Sequence, residues 1–405
     1  MFVGTMQSSY PFKKELFSIL HYWEQNLPDP VQGGFYGRID GNNILDKQAP
    51  RGAVLNARIL WSFSAAFNAF KEPFCLSQAE RAFDYITRFF IDRQYGGTYW
   101  LLTSKGEKLD PKKQVYAQAF MIYALAEYYR ASGSDEARNE AIKIYQLIEQ
   151  YSFDHAHGGY GEAYAEDWSL LQDVRLSEKD ANEKKTMNTH LHIIEAYTNL
   201  YGIWKDDGLK QKIEGLLGVF RDHIIDRNNS HLHLFMDEQW VVRSPVISYG
   251  HTIEAAWLLQ EAAEMIGDEQ WIKYTRQKAV DMAKASLEGM DVDGSMLYEY
   301  DRTADHWIKE KHWWVQAEAM VGFLNAYSVS GDQLFLDSFN RIWSYTKEYI
   351  IDNKQGEWFW GRTKDNELMP DQDKAGIWKC PYHNSRAMLE VIRRYESVFP
   401  ELTTR

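Results

Sequence analysis

An all-α fold, an (α/α)6 barrel of six helical hairpins with short β-hairpins on its funnel side, is predicted by three features of the 405-residue chain. Aromatic-flanked glycine turns recur at Gly34, Gly97, Gly159, Gly294 and Gly356, spaced by 63, 62, 135 and 62 residues. The long interval is about two periods, and a degenerate turn near Ser230, "DRNNSHLHLF", fills its middle, making six units. Apolar helices follow the turns, and more polar amphipathic segments lie between those helices.

The first turn, "QGGFYGRI", leads to an apolar helix at Leu55, "LNARILW". The second, "YGGTYW", leads to "YAQAFMI" at Tyr116, and the third, "HGGYGEAY", to "HIIEAYT" at His192. The degenerate fourth leads to "HTIEAAW" at His251, the fifth, "VDGSMLYEY", to "VQAEAMV" at Val315, and the sixth, "QGEWFWGR", to "HNSRAML" at His383. These helices are apolar or small nearly all round, as buried inner helices are. The distances from turn to helix are 21, 19, 33, 21, 21 and 27 residues. A gap near 20 fits a short hairpin and a loop, and the extra length in the third and sixth units would form the funnel rim. The intervening segments start near Phe12, Ser77, Asp135, Leu209, Glu269 and Asp332, and their interrupted apolar stripes suit outer helices with one wet face. Repeats that cannot bury their own faces stack on neighbours, and six can close into a ring. No Pro/Gly/Ser-rich linker interrupts the pattern, so residues 1–405 read as a single domain.

Composition narrows the function. With 45% hydrophobic and 25% charged residues the chain can bury a large core. A net charge of -13 argues against nucleic acid, because there is no basic surplus to displace counterions from phosphates. Fifteen Trp, 25 Tyr and 20 Phe suit a core rich in rings, some of them available to a sugar face. The two cysteines, Cys75 and Cys380, imply no disulfide framework. The start, "MFVGTMQSSYPFKKELFSIL", lacks the pattern of a secretory leader, and no run of 18 apolar residues exists, so the expected location is the cytoplasm and no membrane span is expected.

The repeat turns sequence into geometry. Aligning the inner helices places Leu55, Tyr116, His192, His251, Val315 and His383 at one position. Three residues on stand Arg58, Ala119, Glu195, Glu254, Glu318 and Arg386. Three histidines at one phase near the axis point to chemistry rather than packing. His190 lies about 200° from His192 around a helix, so only one of them faces the axis, and His192 shares its phase with His251. No His-Glu-x-x-His motif occurs, and Cys380 before His383 lacks a second cysteine arm, so no metal is expected. Neither a nucleophile elbow nor a phosphate-binding glycine loop is present, so no nucleotide cofactor is expected. Two chemistries stay open. Glu254, Glu318 and Asp180 would serve a glycoside hydrolase, which needs paired carboxylates. Paired histidines would instead remove and return a proton beside a carbonyl near neutral pH, with Arg58 stabilising the oxyanion.

Four ordered segments resemble a known family: "KTMNTHLHIIEAYTNLY" from Lys185, "SYGHTIEAAWLL" from Ser248, "KHWWVQAEAM" from Lys311 and "WKCPYHNSRAMLE" from Trp378. They are similar to the signatures of the cellobiose 2-epimerases, of the N-acylglucosamine 2-epimerase superfamily, and the likeness runs over the whole chain. The resemblance implies the (α/α)6 barrel and a cofactor-independent reaction on the reducing-end glucose of β-1,4-linked disaccharides such as cellobiose and lactose. The ring opens, the carbon-2 proton is removed to give a cis-enediolate, rotation about the bond between carbons 2 and 3 presents the other face, and reprotonation gives mannose.

The resemblance implies His251 and His383 as the acid/base pair and His192 as the residue that helps open the ring. It implies Arg58 at the oxygens of carbons 1 and 2, and Glu254 as partner of the catalytic pair. Tyr116, Asn188, Trp314 and Trp378 match substrate-contacting positions, and Asp180 matches a rim contact. The partner implied is a small disaccharide, with the chain a monomer or a dimer. Alternatives are an aldose-ketose isomerase, a monosaccharide or N-acylglucosamine 2-epimerase, a hydrolase on the same barrel and a sugar-binding protein without turnover. Some residues have plain structural explanations. One of Trp313 and Trp314 is core, Trp358 and Trp360 fit a turn, Cys380 fits a packing position, and Asn188 is placed to cap a helix.

Overall fold

The computed structural model describes residues 8–400; residues 1–7, where the leader reading begins, and 401–405 lie outside the described residues. The six apolar segments form α2 (Ala53–Phe70), α4 (Val115–Ser132), α6 (Met187–Tyr201), α8 (Tyr249–Ile266), α10 (Trp313–Ser330) and α12 (Tyr382–Val398). The six polar segments form α1 (Tyr10–Asn26), α3 (Pro73–Tyr85), α5 (Asp135–Tyr151), α7 (Asp207–Val219), α9 (Glu269–Ser286) and α11 (Gln333–Tyr345).

The even-numbered helices touch in a closed cycle, α12 returning to α2, and α1 packs on α12. The odd-numbered helices cover them outside, so the fold is an (α/α)6 barrel. Inner-to-outer turns are tight because the inner helix ends on a left-handed residue and the outer helix starts at once. Gly133, Gly267 and Gly331 (φ 72, 69 and 70°) end α4, α8 and α10, and the side chains of Ser134, Asp268 and Asp332 cap the helices that follow.

The short strands at the funnel side form the expected hairpins and also join neighbouring units. Local hairpins form at residues 38–46, 101–110 and 299–308, and single antiparallel bridges, Tyr164 with Leu170, Met236 with Val242 and Arg362 with Leu368, close the matching hairpins of the other three units. Each strand entering an inner helix pairs antiparallel with the next unit: 51–52 with 101–102, 113–114 with 163–164, 185–186 with 235–236, 246–248 with 299–301, and 311–312 with 361–362. The ring closes through a bridge between Ile39 and Ala375. A two-residue strand cannot satisfy its edge alone, and the neighbouring unit offers the nearest backbone.

A buried ion pair locks each turn to its inner helix in five units. Asp92 caps its own turn through the amides of Gln94 and Tyr95, and Lys113, just before α4, meets it at 2.6 Å; neither side chain is exposed. The equivalents are Arg51 with Asp29, Lys185 with Asp154 at 2.8 Å and Lys311 with Asp293 at 2.5 Å; in the sixth unit Lys374 of the loop takes Asp352 at 2.8 Å, and Lys379, at the matching position, meets Glu357 at 2.6 Å. The fourth unit lacks this clasp. Ile247 stands where the lysine would be, Asp226 takes Arg302 at 3.3 Å instead, and Ser230 occupies the left-handed position with φ 62°. The turn at Gly97 requires glycine twice over: its φ is 73°, and a Cβ there would meet Gln118 Oε1 at 2.7 Å.

A second set of bonds fixes the register of the inner helices. Gln118 accepts from the Thr98 amide and donates to its carbonyl, both at 2.8 Å, and Gln316 makes the same pair with Met296 at 2.9 and 2.8 Å. His190 Nε2 accepts from the Tyr160 amide at 2.9 Å, Thr252 Oγ1 meets His231 at 3.3 Å, and Asn384 donates to Glu357 at 2.5 Å. His190 is thus a turn tether, turned away from the axis as expected, with Nδ1 donating to the Thr186 carbonyl at 2.7 Å.

Burial lowers the His190 pKa to about 4. A base whose folded pKa is depressed stabilises the fold above its unfolded value near 6.5, and that stability is lost as pH falls toward 4. The fully buried ring accounts for a loss on the order of 3 kcal/mol across that window. His190→Gln, which copies the neighbouring units, is expected to fold and to lose less stability than the wild type between pH 6.5 and 4 in urea titrations. Identical pH slopes for the two proteins would remove His190 from the acid response.

Candidate active site

The tethers correct the sequence alignment. With Gln118, His190, Thr252, Gln316 and Asn384 as equivalents, and Asn56 at the same place in α2 although it bonds only the Gly52 carbonyl, the residues two positions on are Arg58, Phe120, His192, Glu254, Glu318 and Arg386. His192 therefore matches Glu254, and the His-x-x-Glu-Ala texts at His192 and His251 are offset by one helical turn. Both helices begin three residues before their tethers, His190 and Thr252, so it is the repeated text that sits one turn deeper in α6. α6 starts at Met187, five residues before His192, whereas α8 starts at Tyr249, two before His251. His251 and His383 each precede their tether by one residue and do share a phase. Tyr116, Asn188 and Trp314 each precede theirs by two.

The polar groups form layers down the funnel. Trp314 lies beside both histidines of the upper layer, its ring 4.7 Å from His251 and 5.7 Å from His383. His251 shares a hydrogen bond with Ser248 Oγ at 2.8 Å, and burial, with His192 nearby, lowers its pKa to about 3. His383 donates Nδ1–H to Glu318 at 2.7 Å, because a carboxylate only accepts. Burial and the facing guanidiniums of Arg58 and Arg386 hold its ring neutral. His192 donates Nδ1–H to Glu195 at 2.8 Å and meets Tyr116 edge-on at 4.9 Å. Burial would raise the Glu195 carboxyl, but Arg386 and His192 pull it down to about 2.

Arg58 is 2% exposed and has no carboxylate within ion-pairing distance among the described residues. It donates to the Tyr116 hydroxyl at 2.9 Å and the Cys380 thiol at 3.8 Å, and it lies over Phe120 and Tyr382 at 4.2 and 4.7 Å. A desolvated cation held by neutral groups is poised for a developing negative charge. Cys380 is thereby a polar neighbour of Arg58 as well as a packing residue.

The remaining predicted residues separate by environment. Trp378 is half-buried beside Trp100 at 5.9 Å and Tyr116 at 6.3 Å. Asn188 does not cap α6: Thr186 does, accepting from the Thr189 amide at 3.1 Å, and Asn188 Oδ1 is buried without a partner. Asp180, in the long third loop, accepts from the Ser177 amide and hydroxyl at 2.9 and 2.8 Å. Its charge, after burial, is the next cause that raises the Glu299 carboxyl to about 7, which sets the two acids on one rim. Trp313 is core against Trp360, and Trp358 is fully buried and donates to Glu15 at 2.7 Å.

Glu254 meets Arg386 and makes no hydrogen bond to a histidine among the described residues. It is 1% exposed, Oε1 accepts from Arg386 at 2.5 Å, and Oε2 has no partner. The carboxylates that accept from catalytic candidates are Glu195, from His192, and Glu318, from His383, two of the three glutamates whose phase in the sequence allows them to orient histidines. The missed hub is Arg386, signalled only by its being a cation at a ring position where α8 and α10 carry glutamates. Glu254, Glu318 and His383 offer ligand atoms within 4.8 Å of one another. Arg386 already donates to both carboxylates, so a metal ion there would have to displace a built-in cation.

Comparison with known proteins agrees with this geometry. The sequence model of the N-acylglucosamine 2-epimerase (GlcNAc 2-epimerase) family matches residues 34–387. A cellobiose 2-epimerase of Bacteroides fragilis is 47% identical over 94% of this chain and 97% of its own. One from Dictyoglomus turgidum is 38% identical over 94% and 98%. The solved structure of cellobiose 2-epimerase from Bacillus thermoamylovorans superposes with a TM-score of 0.90 at 39% identity, over 95% of this chain and 99% of that one. A ring of inner helices carrying two histidines at one phase, continuous with these relatives over nearly its whole length, establishes that the chain belongs to the N-acylglucosamine 2-epimerase family, among the cellobiose 2-epimerases.

Proposed function

We propose that the protein epimerises the reducing-end glucose of β-1,4-linked disaccharides, cellobiose and lactose among them, at carbon 2. The observation that carries this reading is the pairing of His251 and His383 about Trp314, over an Arg58 that lacks a carboxylate partner. In this scheme the sugar seats on Trp314 and Trp378, with Tyr116 and Asn188 holding its hydroxyls and Asp180 meeting the outer ring. His192, oriented by Glu195, assists ring opening. One of His251 and His383 takes the carbon-2 proton, and Arg58 stabilises the enediolate oxygen. After rotation about the bond between carbons 2 and 3, the other histidine returns a proton to the opposite face.

No cofactor enters the scheme. The hydrolase reading is weaker because Glu254 and Glu318 are buried and tied to one guanidinium, rather than flanking a bond. The same proposal treats residues 1–405 as one catalytic domain acting as a monomer in the cytoplasm. Closure of the first unit on the last supports the single domain, and the free, buried Cys75 and Cys380 suit a reducing compartment. No helix among the described residues is long and apolar enough to cross a membrane.

The test is cellobiose in deuterated water, followed by proton NMR. Glucosyl-mannose labelled at carbon 2 supports epimerisation, a ketose product moves the reading to an isomerase, and free glucose moves it to a hydrolase. Arg58→Met is expected to lower kcat by roughly 10²–10³-fold, the loss typical of removing one oxyanion donor. Steady-state kinetics on cellobiose check this, and a kcat within threefold of wild type, on the same scale, would leave the oxyanion without its assigned partner.

A further inference from the structure

The scheme above uses His192, His251, His383 and Arg58, and leaves the best-connected side chain of the funnel unused. Arg386 is 1% exposed. It donates Nη1 to Glu195 and the Tyr382 hydroxyl, and Nη2 to Glu254 at 2.5 Å and Glu318 at 2.6 Å. Glu195 and Glu318 are the two carboxylates that accept from His192 and His383. One guanidinium therefore stands behind both imidazoles, and its planar fork reaches carboxylates on three different helices, which an ammonium could not do.

Charge counting adds a second constraint. Three carboxylates, Glu195, Glu254 and Glu318, face two guanidiniums, Arg58 and Arg386. The other groups turned toward them are neutral: burial pushes the hydroxyls of Tyr116, Tyr123 and Tyr382 and the Cys380 thiol up, and the His251 ring down. One proton balances the cluster. Glu254, with an unpartnered buried oxygen, is the carboxylate placed to hold it, and burial together with Glu318 raises its carboxyl to about 7; burial raises the Glu318 carboxyl as well, but there both oxygens are engaged and Arg386 is the first group to oppose the rise.

We propose that Arg386 is a positioning residue that keeps Glu195 and Glu318 ionised as acceptors for His192 and His383, with Glu254 as the carboxylate that balances its charge. Each Nδ1–H is then committed to a carboxylate, and the Nε2 lone pair of each ring is left for the substrate. This inference rests on the function proposed above.

The test removes the cation and then one anion. Arg386→Met is expected to lower kcat at pH 7 by at least roughly 100-fold while KM for cellobiose stays within about threefold, because Arg386 lies behind the histidines and not on the sugar. Without it the three carboxylates bind protons more tightly and so do the imidazoles. The whole profile of kcat/KM against pH moves up by about 1 to 3 pH units. Arg386→Met combined with Glu195→Gln removes one charge of each sign while the glutamine amide oxygen still accepts from His192, and it brings the profile back by at least about 1 pH unit.

A profile that does not move, or a double variant no better than the single one, overturns the proposal, since a packing role predicts both. Circular dichroism checks that each variant folds. Independently of any variant, nitrogen-15 NMR of the wild-type histidines should show His192 and His383 as Nδ1–H tautomers at neutral pH, and Nε2–H tautomers at both would refute the arrangement. Loss of carbon-2 exchange by the wild type itself would instead refute the underlying epimerase reading.

Discussion

Replacing His251 or His383 with alanine is expected to stop turnover of cellobiose, each by more than the roughly 10²–10⁴-fold typical of an assisting acid or base. Neither proton transfer in the proposed scheme has a substitute. The two imidazoles flank Trp314 from α8 and α12, the inner helices on either side of α10, and the other imidazole of the funnel, His192, sits a turn deeper against Glu195. The carboxylates within reach of His383 are held by Arg386. The measurement is steady-state turnover together with carbon-2 deuterium exchange for each variant. The exchange assay separates them: the variant that keeps the base for glucose still washes in deuterium slowly without forming mannose. Either variant retaining more than about a tenth of wild-type turnover, on the same scale, would rule out the two-histidine scheme.

The largest expected effect on stability lies away from the chemistry. Lys113→Ala leaves the Asp92 carboxylate buried, still accepting from the amides of its turn, with its counter-charge gone. Breaking one half of a buried pair costs about 3 to 5 kcal/mol, because the remaining charge is stranded out of water. The loss should appear as a lower urea midpoint with an unchanged slope. Removing both charges, as Lys113→Met with Asp92→Asn, should recover most of it, because what destabilises is the unpaired ion rather than the missing bond. The equivalent change at Ile247, where no clasp exists, has no such penalty.

The architecture was legible because a repeat leaves the same marks six times. Apolar all-round helices and glycine turns report burial and left-handed backbone, both local properties, and all twelve predicted segments are helices among the described residues. Strand pairing between units was not legible. Two-residue strands carry no period of their own, and their partners belong to the neighbouring unit. The site was legible in its members and misread in its register. His192 and His251 sit in near-identical text, but that text lies one turn deeper in α6 than in α8, although both helices begin three residues before their tethers. The tethers that reveal the true register are Gln, His, Thr and Asn, different residues doing one job, so no repeated letter marked them. Arg386 was hidden for the opposite reason. Its importance lies in three partners from other helices, which no spacing along the chain expresses.

The closure of the ring through Ile39 and Ala375 also limits how such a protein can change. An open stack of repeats has end units that fray, and it can gain or lose one. A closed circle of six has no end, and a seventh hairpin would alter the axis on which the inner helices converge. Variation is therefore pushed into the loops over the mouth, where the third unit already carries its long insertion. Such a molecule can exchange one sugar partner for another by lengthening a loop, while the proton chemistry beneath stays as it was.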